Sequence, residues 1–219
     1  GPLQVQQENA LDRMFAAGIR LKSKATRRLI ITNIGDLITY GGYPNTQSSG
    51  YKATHKLVHE SMLELKSKLA ENAPLVILAS SMGTEIINNY IRNRQQASGT
   101  DPFGGSPFER FETLTGLFTL GNNLPIFAAA HDIDVMEPIT FPSPELPPHL
   151  VAKAVWENYY DKNDSMGYPI KALNPKYAAA NLADIQIDGN LAVIEDFKVP
   201  PLGGEAIQDN AAVQEAIQD

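Results

Sequence analysis

The sequence contains no cysteine, and this absence removes two classes of protein. A disulfide-stapled secreted fold and a thiolate metal site both require cysteine. The longest apolar runs are also far shorter than the about 20 residues that a membrane-spanning helix needs, and no signal-peptide pattern opens the chain. These absences predict a soluble protein with no integral membrane segment, which we place in the cytoplasm.

A surplus of basic residues is missing as well. The 219 residues include 18 Lys and Arg against 25 Asp and Glu, which gives a net charge of -7 at pH 7. Nucleic-acid binders usually carry excess positive charge, so this balance argues against a nucleic-acid partner. The length suits one domain with a buried sheet, which we assign to residues 1–202. Residues 203–219, which begin at a glycine pair and contain EAIQD twice, form a tail of no assigned role.

Helical and strand-like segments alternate along the chain. The helical patterns lie at 8–35, 52–70 and 83–96, and the strand-like apolar runs lie at 74–79, 113–121, 154–160 and 182–188. On the second helix the apolar residues recur four, three and four apart, as on one helical face, at Val58, Met62, Leu65 and Leu69. The proline-rich stretch 131–149 is expected to be irregular. This alternation predicts an α/β fold with a mostly parallel sheet and helices on both faces.

One strand-to-helix junction carries a pattern that indicates chemistry. The apolar run LVILA predicts a strand buried on both faces, and it stops at Ser80-Ser81 just before a helix. Ala79 and Gly83 stand two residues on either side of Ser81, as the tight turn of a nucleophile elbow requires. The amide of Met82 would then lie at the helix N-terminus as an oxyanion donor. The alternative is that one of the serines only caps the helix.

The ordered segments resemble the α/β-hydrolase fold, in a bacterial lipase- or esterase-like group of serine hydrolases. The matching segments, in family order, are IGDLITYGGYP, PLVILASSMGTEIINNYI, LTGLFTLGNNLPIF, VWENYYDKNDSMGYPIKALN and LADIQID. The resemblance covers residues 10–200 and implies a three-layer sandwich. It further implies that a carboxylic ester, small or lipid-like, is cleaved through an acyl-enzyme on Ser81. Neither a metal nor an organic cofactor is implied.

The resemblance also assigns the acid that orients the catalytic histidine. Asp164, in DSMGYP, stands where the family acid precedes a short turn and a proline. Asp161, three residues earlier, is the alternative acid. A third interpretation makes both aspartates ordinary loop residues.

Two parts of the family pattern are not evident in this chain. The triad order is serine, acid and histidine, yet no histidine follows His149. The first strand of the family, with its His-Gly loop, is not evident before Leu29. Either stretches of the molecule lie outside this sequence, or the protein is a catalytically silent hydrolase fold that binds a ligand or partner. A serine that acts without histidine is the third explanation.

The four histidines supply neither an evident base nor an evident metal site. His55 and His59 lie on the second predicted helix, whereas His131 follows LPIFAAA and could border the active site. The nearest approach to metal-ligand spacing joins His131 to Asp132 and Asp134, and we assign no metal to it. No strand is followed by a loop with three glycines, which disfavours a dinucleotide-binding domain.

Overall fold

A computed structural model describes residues 40, 48–70, 72–96, 106–128, 133–162, 164 and 167–187. Within this part of the chain four strands form one sheet in which every neighbouring pair is parallel. In spatial and chain order the strands are β1 (Leu75–Ser80), β2 (Leu114–Leu120), β3 (Val155–Asp161) and β4 (Ala183–Ile187). The α/β class, the parallel sheet and the four predicted strands are confirmed.

Five α-helices connect or precede these strands in the described residues. They are α1 (Ser49–Ser67), α2 (Met82–Gln96), α3 (Leu124–Ala128), α4 (Pro148–Val151) and α5 (Pro175–Ala179). The hydroxyl of Ser48 begins α1 by accepting a hydrogen bond from the Tyr51 amide at 3.0 Å. Proline begins both α4 and α5, where the missing amide hydrogen costs nothing.

The irregular excursion expected at 131–149 is confirmed over residues 133–147, where the only regular element is a single 3-10 turn at Ile133–Val135. Residues 148 and 149 belong instead to the helix α4. Two predictions lie outside the described residues, namely the helix at 8–35 and the tail at 203–219.

The prediction that helices cover both faces of the sheet is not met by the described residues. Side chains of Leu75, Leu117 and Trp156 share one face and pack in the main core with residues of the helices, such as Tyr90 and Ile91 of α2. On the other face Val76 and Leu78 of β1 remain 58% and 51% exposed. The expectation that β1 is buried on both faces is therefore wrong, because no described helix covers its second face.

The apolar stripe of α1 is confirmed only in its first half. Val58 and Met62 pack against the main core, as the spacing predicts. Leu65 and Leu69 are exposed instead, and Leu69 lies beyond the last residue of the helix. The C-terminal turn of α1 thus extends past the core, where Lys66 pairs with Glu109 at 2.7 Å.

Candidate functional site

Ser81 occupies the single-residue turn between β1 and α2. Its φ is 51°, in the left-handed region that a non-glycine residue rarely adopts. The turn is fixed on both sides, because the Ser81 amide donates to the Leu120 carbonyl at 2.9 Å and its carbonyl accepts from the Thr84 amide at 3.0 Å. The Thr84 hydroxyl also donates to that carbonyl at 2.6 Å. The predicted sharp strand-to-helix turn is therefore present at the predicted serine.

The loop that follows β2 lies beside this turn. The Ser81 hydroxyl is 3.4 Å from Oδ1 of Asn123, to which it donates. The neighbouring Asn122 places its Oδ1 3.2 Å from the Thr84 hydroxyl, and that hydroxyl accepts from the Asn123 amide at 3.2 Å. Both asparagines are buried. They belong to GNNLPIF, the loop of the matching segment LTGLFTLGNNLPIF, and neither is assigned a role in the sequence analysis.

The loop after β3 brings Asp164 to the same edge of the sheet. Its amide donates to the Asp161 carbonyl at 3.0 Å, which closes a turn at the end of β3. A Cβ atom added to Gly167 would lie 2.5 Å from Oδ2 of Asp164 and 2.7 Å from Cα of Gly121. A side chain at position 167 would clash with both, so glycine at this position lets the Asp164 carboxyl lie close to Gly121, the residue that follows β2. Ser81, Asn123 and Asp164 thus all lie at the carboxyl edge of the parallel sheet, the edge at which α/β proteins bind ligands.

The structure places the other sequence-predicted residues without assigning their roles. Met82 is the first residue of α2, so its amide belongs to the helix N-terminus as expected. Asp161 is the last residue of β3, and both it and Asp164 are buried. The choice between the two aspartates and the oxyanion role of Met82 stay predictions.

Sequence reasoning missed a buried polar row on α2 that starts at the turn. Glu85 is only 1% exposed, and its Oε1 accepts a hydrogen bond from Asn89 Nδ2 at 2.6 Å. Oδ1 of Asn89 in turn accepts from a terminal guanidinium nitrogen of Arg92. Burial raises the pKa of Glu85 from 4.5 to about 7, against the opposing effects of Asn89 and Arg92. The sequence does contain a signal for this row, because Ser81, Glu85, Asn89 and Arg92 are spaced four, four and three residues apart and so share one side of a helix.

Both histidines of α1 form hydrogen bonds with tyrosine hydroxyls. His55 Nε2 lies 2.8 Å from the Tyr40 hydroxyl, and its ring stacks on Tyr51 with centroids 3.8 Å apart. Burial lowers the pKa of His55 from 6.5 to about 4, so the ring is neutral at pH 7. His59 Nδ1 lies 2.7 Å from the Tyr90 hydroxyl. The helix α4 carries His149 on its exposed surface, while His131 lies outside the described residues.

The cluster that contains Tyr40 also touches the start of α2. Tyr40, Tyr51 and Phe127 form a small buried group against which Met82 and Ile86 pack. The side chain after the serine therefore rests on an aromatic surface.

The chain gave no match to family models, to curated proteins or to solved structures. The α/β-hydrolase resemblance accordingly stays a prediction that rests on the ordered sequence motifs.

Neither a metal centre nor a bilayer crossing is found in the part of the chain that the structure describes. No three acidic or histidine side chains there are grouped so that they could hold a metal ion. Among the same residues, no helix combines the length and apolarity that crossing a membrane requires. Of the three residues whose spacing comes nearest to that of metal ligands, Asp134 lies in the 3-10 turn at Ile133–Val135. His131 and Asp132 lie outside the described residues.

Proposed function

We propose that this protein is a serine hydrolase of the α/β-hydrolase type, which cleaves a carboxylic ester through an acyl-enzyme on Ser81. The observation that supports the proposal is the left-handed φ of 51° at Ser81. A residue held in that region costs about 1–3 kcal/mol, and a nucleophile elbow has this strained geometry. A serine that only caps a helix normally has extended backbone angles instead. The strain therefore favours the elbow over the cap.

The chemistry of this site follows from the elements around Ser81. The hydroxyl oxygen attacks the ester carbonyl carbon, the bond to the alcohol oxygen breaks, and a base carries the hydroxyl proton to the departing alcohol. The Met82 amide at the start of α2 faces the oxyanion, and one such donor is typically worth about 10²–10³ in rate. Water then cleaves the serine ester and restores the hydroxyl.

Asp164 is the preferred acid of this mechanism. Its carboxyl lies close to the position that a side chain at Gly167 would occupy, and Gly121 borders the same position. Gly121 begins the loop whose Asn123 accepts a hydrogen bond from the Ser81 hydroxyl. Asp161 instead ends a strand and pairs in register with Ile187 of β4. A loop carboxylate can orient an imidazole above the edge of the sheet, which a residue within the sheet does less readily.

We assign the role of general base to His131. His55 and His59 are engaged by Tyr40 and Tyr90, and His149 is exposed on α4. His131 follows the last residue of α3 by three positions, and α3 begins directly after Asn123, the partner of the Ser81 hydroxyl.

The engagement of the α1 histidines also favours a second function, a catalytically silent fold that binds an apolar ligand beside Ser81.

Turnover of chromogenic esters distinguishes the two functions. We would measure hydrolysis of p-nitrophenyl esters from acetate to octanoate by wild type, Ser81→Ala and the matched control Ser80→Ala. The enzyme predicts saturable turnover that Ser81→Ala reduces at least about 10³-fold, as for a triad serine, while Ser80→Ala changes it little. Equal rates in wild type and Ser81→Ala would overturn the hydrolase.

A second pair of variants tests the base. His131→Ala should lower turnover by about 10²-fold or more, and His149→Ala should leave it unchanged. If turnover depends on Ser81 but on neither histidine, the assignment of His131 is wrong and the hydrolase stands.

A further inference from the structure

A row of three polar side chains crosses the sheet on the face that packs in the main core. Its members lie in register on β2, β3 and β4 and are Thr119, Asn158 and Asp184. Two residues earlier on β2 and β3, the same face carries Leu117 and Trp156 of the apolar core. Thr119 and Asn158 are buried. Because a buried polar side chain costs stability unless it is hydrogen-bonded, the partners of this row matter.

Each member of the row is hydrogen-bonded to the next. The Thr119 hydroxyl donates to Oδ1 of Asn158 at 2.9 Å. Nδ2 of Asn158 donates to Oδ1 of Asp184 at 2.7 Å and to the Tyr168 carbonyl at 3.0 Å, which uses both of its hydrogens. The row therefore begins on the inner strand β2 and ends at the Asp184 carboxyl.

The Asp184 carboxyl holds the backbone that follows β3. Its Oδ1 accepts from the Ile170 amide at 3.0 Å, and its Oδ2 accepts from the Lys171 amide at 2.8 Å. Together with Asn158, three N–H donors thus point at one carboxyl group. Hydrogen bonds from N–H groups to a carboxylate are stronger than those to a neutral acceptor. A side chain of β4 therefore attaches the loop after β3 to the sheet.

A hydrogen-bonded path continues from this loop to the Ser81 turn. Tyr168, whose carbonyl accepts from the row, donates its amide to the Asn122 carbonyl at 3.1 Å. Oδ1 of Asn122 lies 3.2 Å from the Thr84 hydroxyl, which donates to the Ser81 carbonyl at 2.6 Å. The path from the row to the strained serine is therefore unbroken.

The Asp164 carboxyl lies beside the same path. Gly167 directly precedes Tyr168, and it is the position at which a side chain would clash with the Asp164 carboxyl. Asp184 fixes the backbone only three residues later, at Ile170. A shift of that backbone would move Gly167 and change the room that is left for Asp164.

We propose that Asp184 is a positioning residue, which holds the loop after β3 so that the Asp164 carboxyl and the Ser81 turn keep their mutual placement. The consequence for catalysis rests on the proposed function, whereas the attachment of the loop does not. The two parts accordingly have separate tests.

Native-state hydrogen exchange in the full chain tests the attachment without any substrate. Asp184→Asn replaces one carboxyl oxygen by an amide group, so at least one of the three bonds is lost while the volume hardly changes. The amides of Asp164 and Tyr168 donate to the carbonyls of Asp161 and Asn122. We expect both amides to exchange at least about 10-fold faster in Asp184→Asn, relative to the amides of β2.

A second variant guards against poor folding of the first. Thr119→Val removes only the hydroxyl at the opposite end of the row, and its shape is nearly the same. Loss of this one hydrogen bond should accelerate exchange at the Tyr168 amide about fivefold, again relative to the amides of β2.

Gln95→Ala is the matched control, because Gln95 holds a different loop in the same manner. Its side-chain amide donates to the Thr140 carbonyl at 2.9 Å and accepts from the Thr140 amide at 2.8 Å. It lies near the end of α2, about 20 Å along the helix from Ser81. This variant should accelerate exchange at Thr140 and leave Asp164 and Tyr168 unchanged.

Ester turnover tests the consequence for catalysis. Asp184→Asn should lower the kcat of Ser81-dependent turnover at least about 10-fold with little change in KM, because a carboxylate displaced by about 1 Å orients the base poorly. Gln95→Ala should leave kcat unchanged. In the double variant with Asp164→Asn, the loss should be no larger than for Asp164→Asn alone, because both changes act through one carboxyl group.

Two results would overturn the proposal. Unchanged exchange at Asp164 and Tyr168 in Asp184→Asn would mean that this carboxyl does not hold the loop. A loss of kcat that adds fully to that of Asp164→Asn would mean that Asp184 does not act through Asp164. If wild type shows no Ser81-dependent turnover, the proposed function fails by itself, and hydrogen exchange still decides whether Asp184 holds the loop.

Discussion

The carboxyl edge of the sheet and the core beneath it are built by opposite rules. The core is apolar, and its side chains, such as Leu117 and Ile91, are fully buried among one another. The edge holds a strained serine, buried asparagines and buried carboxyl groups within a few residues of the same strands. Burial therefore has two uses in this molecule. In the core it supplies stability, and at the edge it costs stability in order to position polar groups.

The largest expected effect separates the two aspartates at the edge. Asp164→Asn should lower turnover about 10³-fold or more, because the amide cannot stabilise the protonated base. Asp161→Asn should have a much smaller effect on turnover. Ester hydrolysis and thermal unfolding would be measured for both, and a larger loss for Asp161→Asn would reverse the assignment.

The core should show the converse behaviour. Leu117→Ala removes a buried side chain from the main core and should cost about 2–5 kcal/mol of unfolding free energy. Turnover per folded molecule should hardly change. Urea unfolding with Leu65→Ala as the exposed control provides the measurement. A loss of turnover without a loss of stability would break the distinction between core and edge.

The pH dependence of stability should reveal the buried carboxyl of Glu85. Burial raises its pKa from 4.5 to about 7, so the folded protein holds a proton that the unfolded chain has already lost between these values. Stability should therefore fall by about 3 kcal/mol as the pH rises from 4.5 to 7, if this group acts alone. Glu85→Gln should remove that decline, as unfolding free energies at pH 5 and 7.5 would show.

His55 acts with the opposite sign in an overlapping range. Its pKa is lowered from 6.5 to about 4 by burial, so its contribution to stability grows as the pH rises through this range. Wild type should consequently show a shallow profile, and Glu85→Gln should show stability that rises with pH. An identical profile for both proteins would contradict the buried carboxyl.

The smallest expected effect concerns the strain at the edge. Ser81→Gly should raise the unfolding free energy by about 1 kcal/mol, because glycine adopts a positive φ without penalty. Ser80→Gly, at the extended end of β1, should instead lower it by about 0.5–1 kcal/mol. Denaturant titration of the pair gives both values, and stabilisation by neither variant would mean that Ser81 is not strained.

The regular elements could be predicted from the sequence because their signals are local. The strands β2, β3 and β4 and the helix α2 follow from apolar runs and periodicity, and the sharp strand-to-helix turn follows from small residues around Ser81. The cover of β1 could not be predicted. A run such as LVILA has the same composition whether one face of the strand or both faces are covered. Which of the two occurs depends on residues that are far away in the sequence.

The polar row of the site was missed for a related reason. Glu85 and Asn89 lie on a helix whose apolar residues also point inward, so the apolar pattern alone predicted its buried face. Asn89 is hydrogen-bonded to Tyr40, which lies in another segment of the chain, and to Arg92, which lies on the next turn of the helix. Likewise the approach of Asp164 to Gly121 depends on the missing side chain of Gly167, a contact between loops that no local pattern encodes.

The most direct test of the account is covalent labelling of Ser81. Purified wild type and Ser81→Ala would be treated with a fluorophosphonate, and intact mass and peptide mapping would follow. If Ser81 is the nucleophile, we expect one adduct per molecule of wild type, located on Ser81, and none on Ser81→Ala. Folded wild type that takes up no adduct, or an adduct on another residue that persists in Ser81→Ala, would contradict the assignment of Ser81 as the nucleophile.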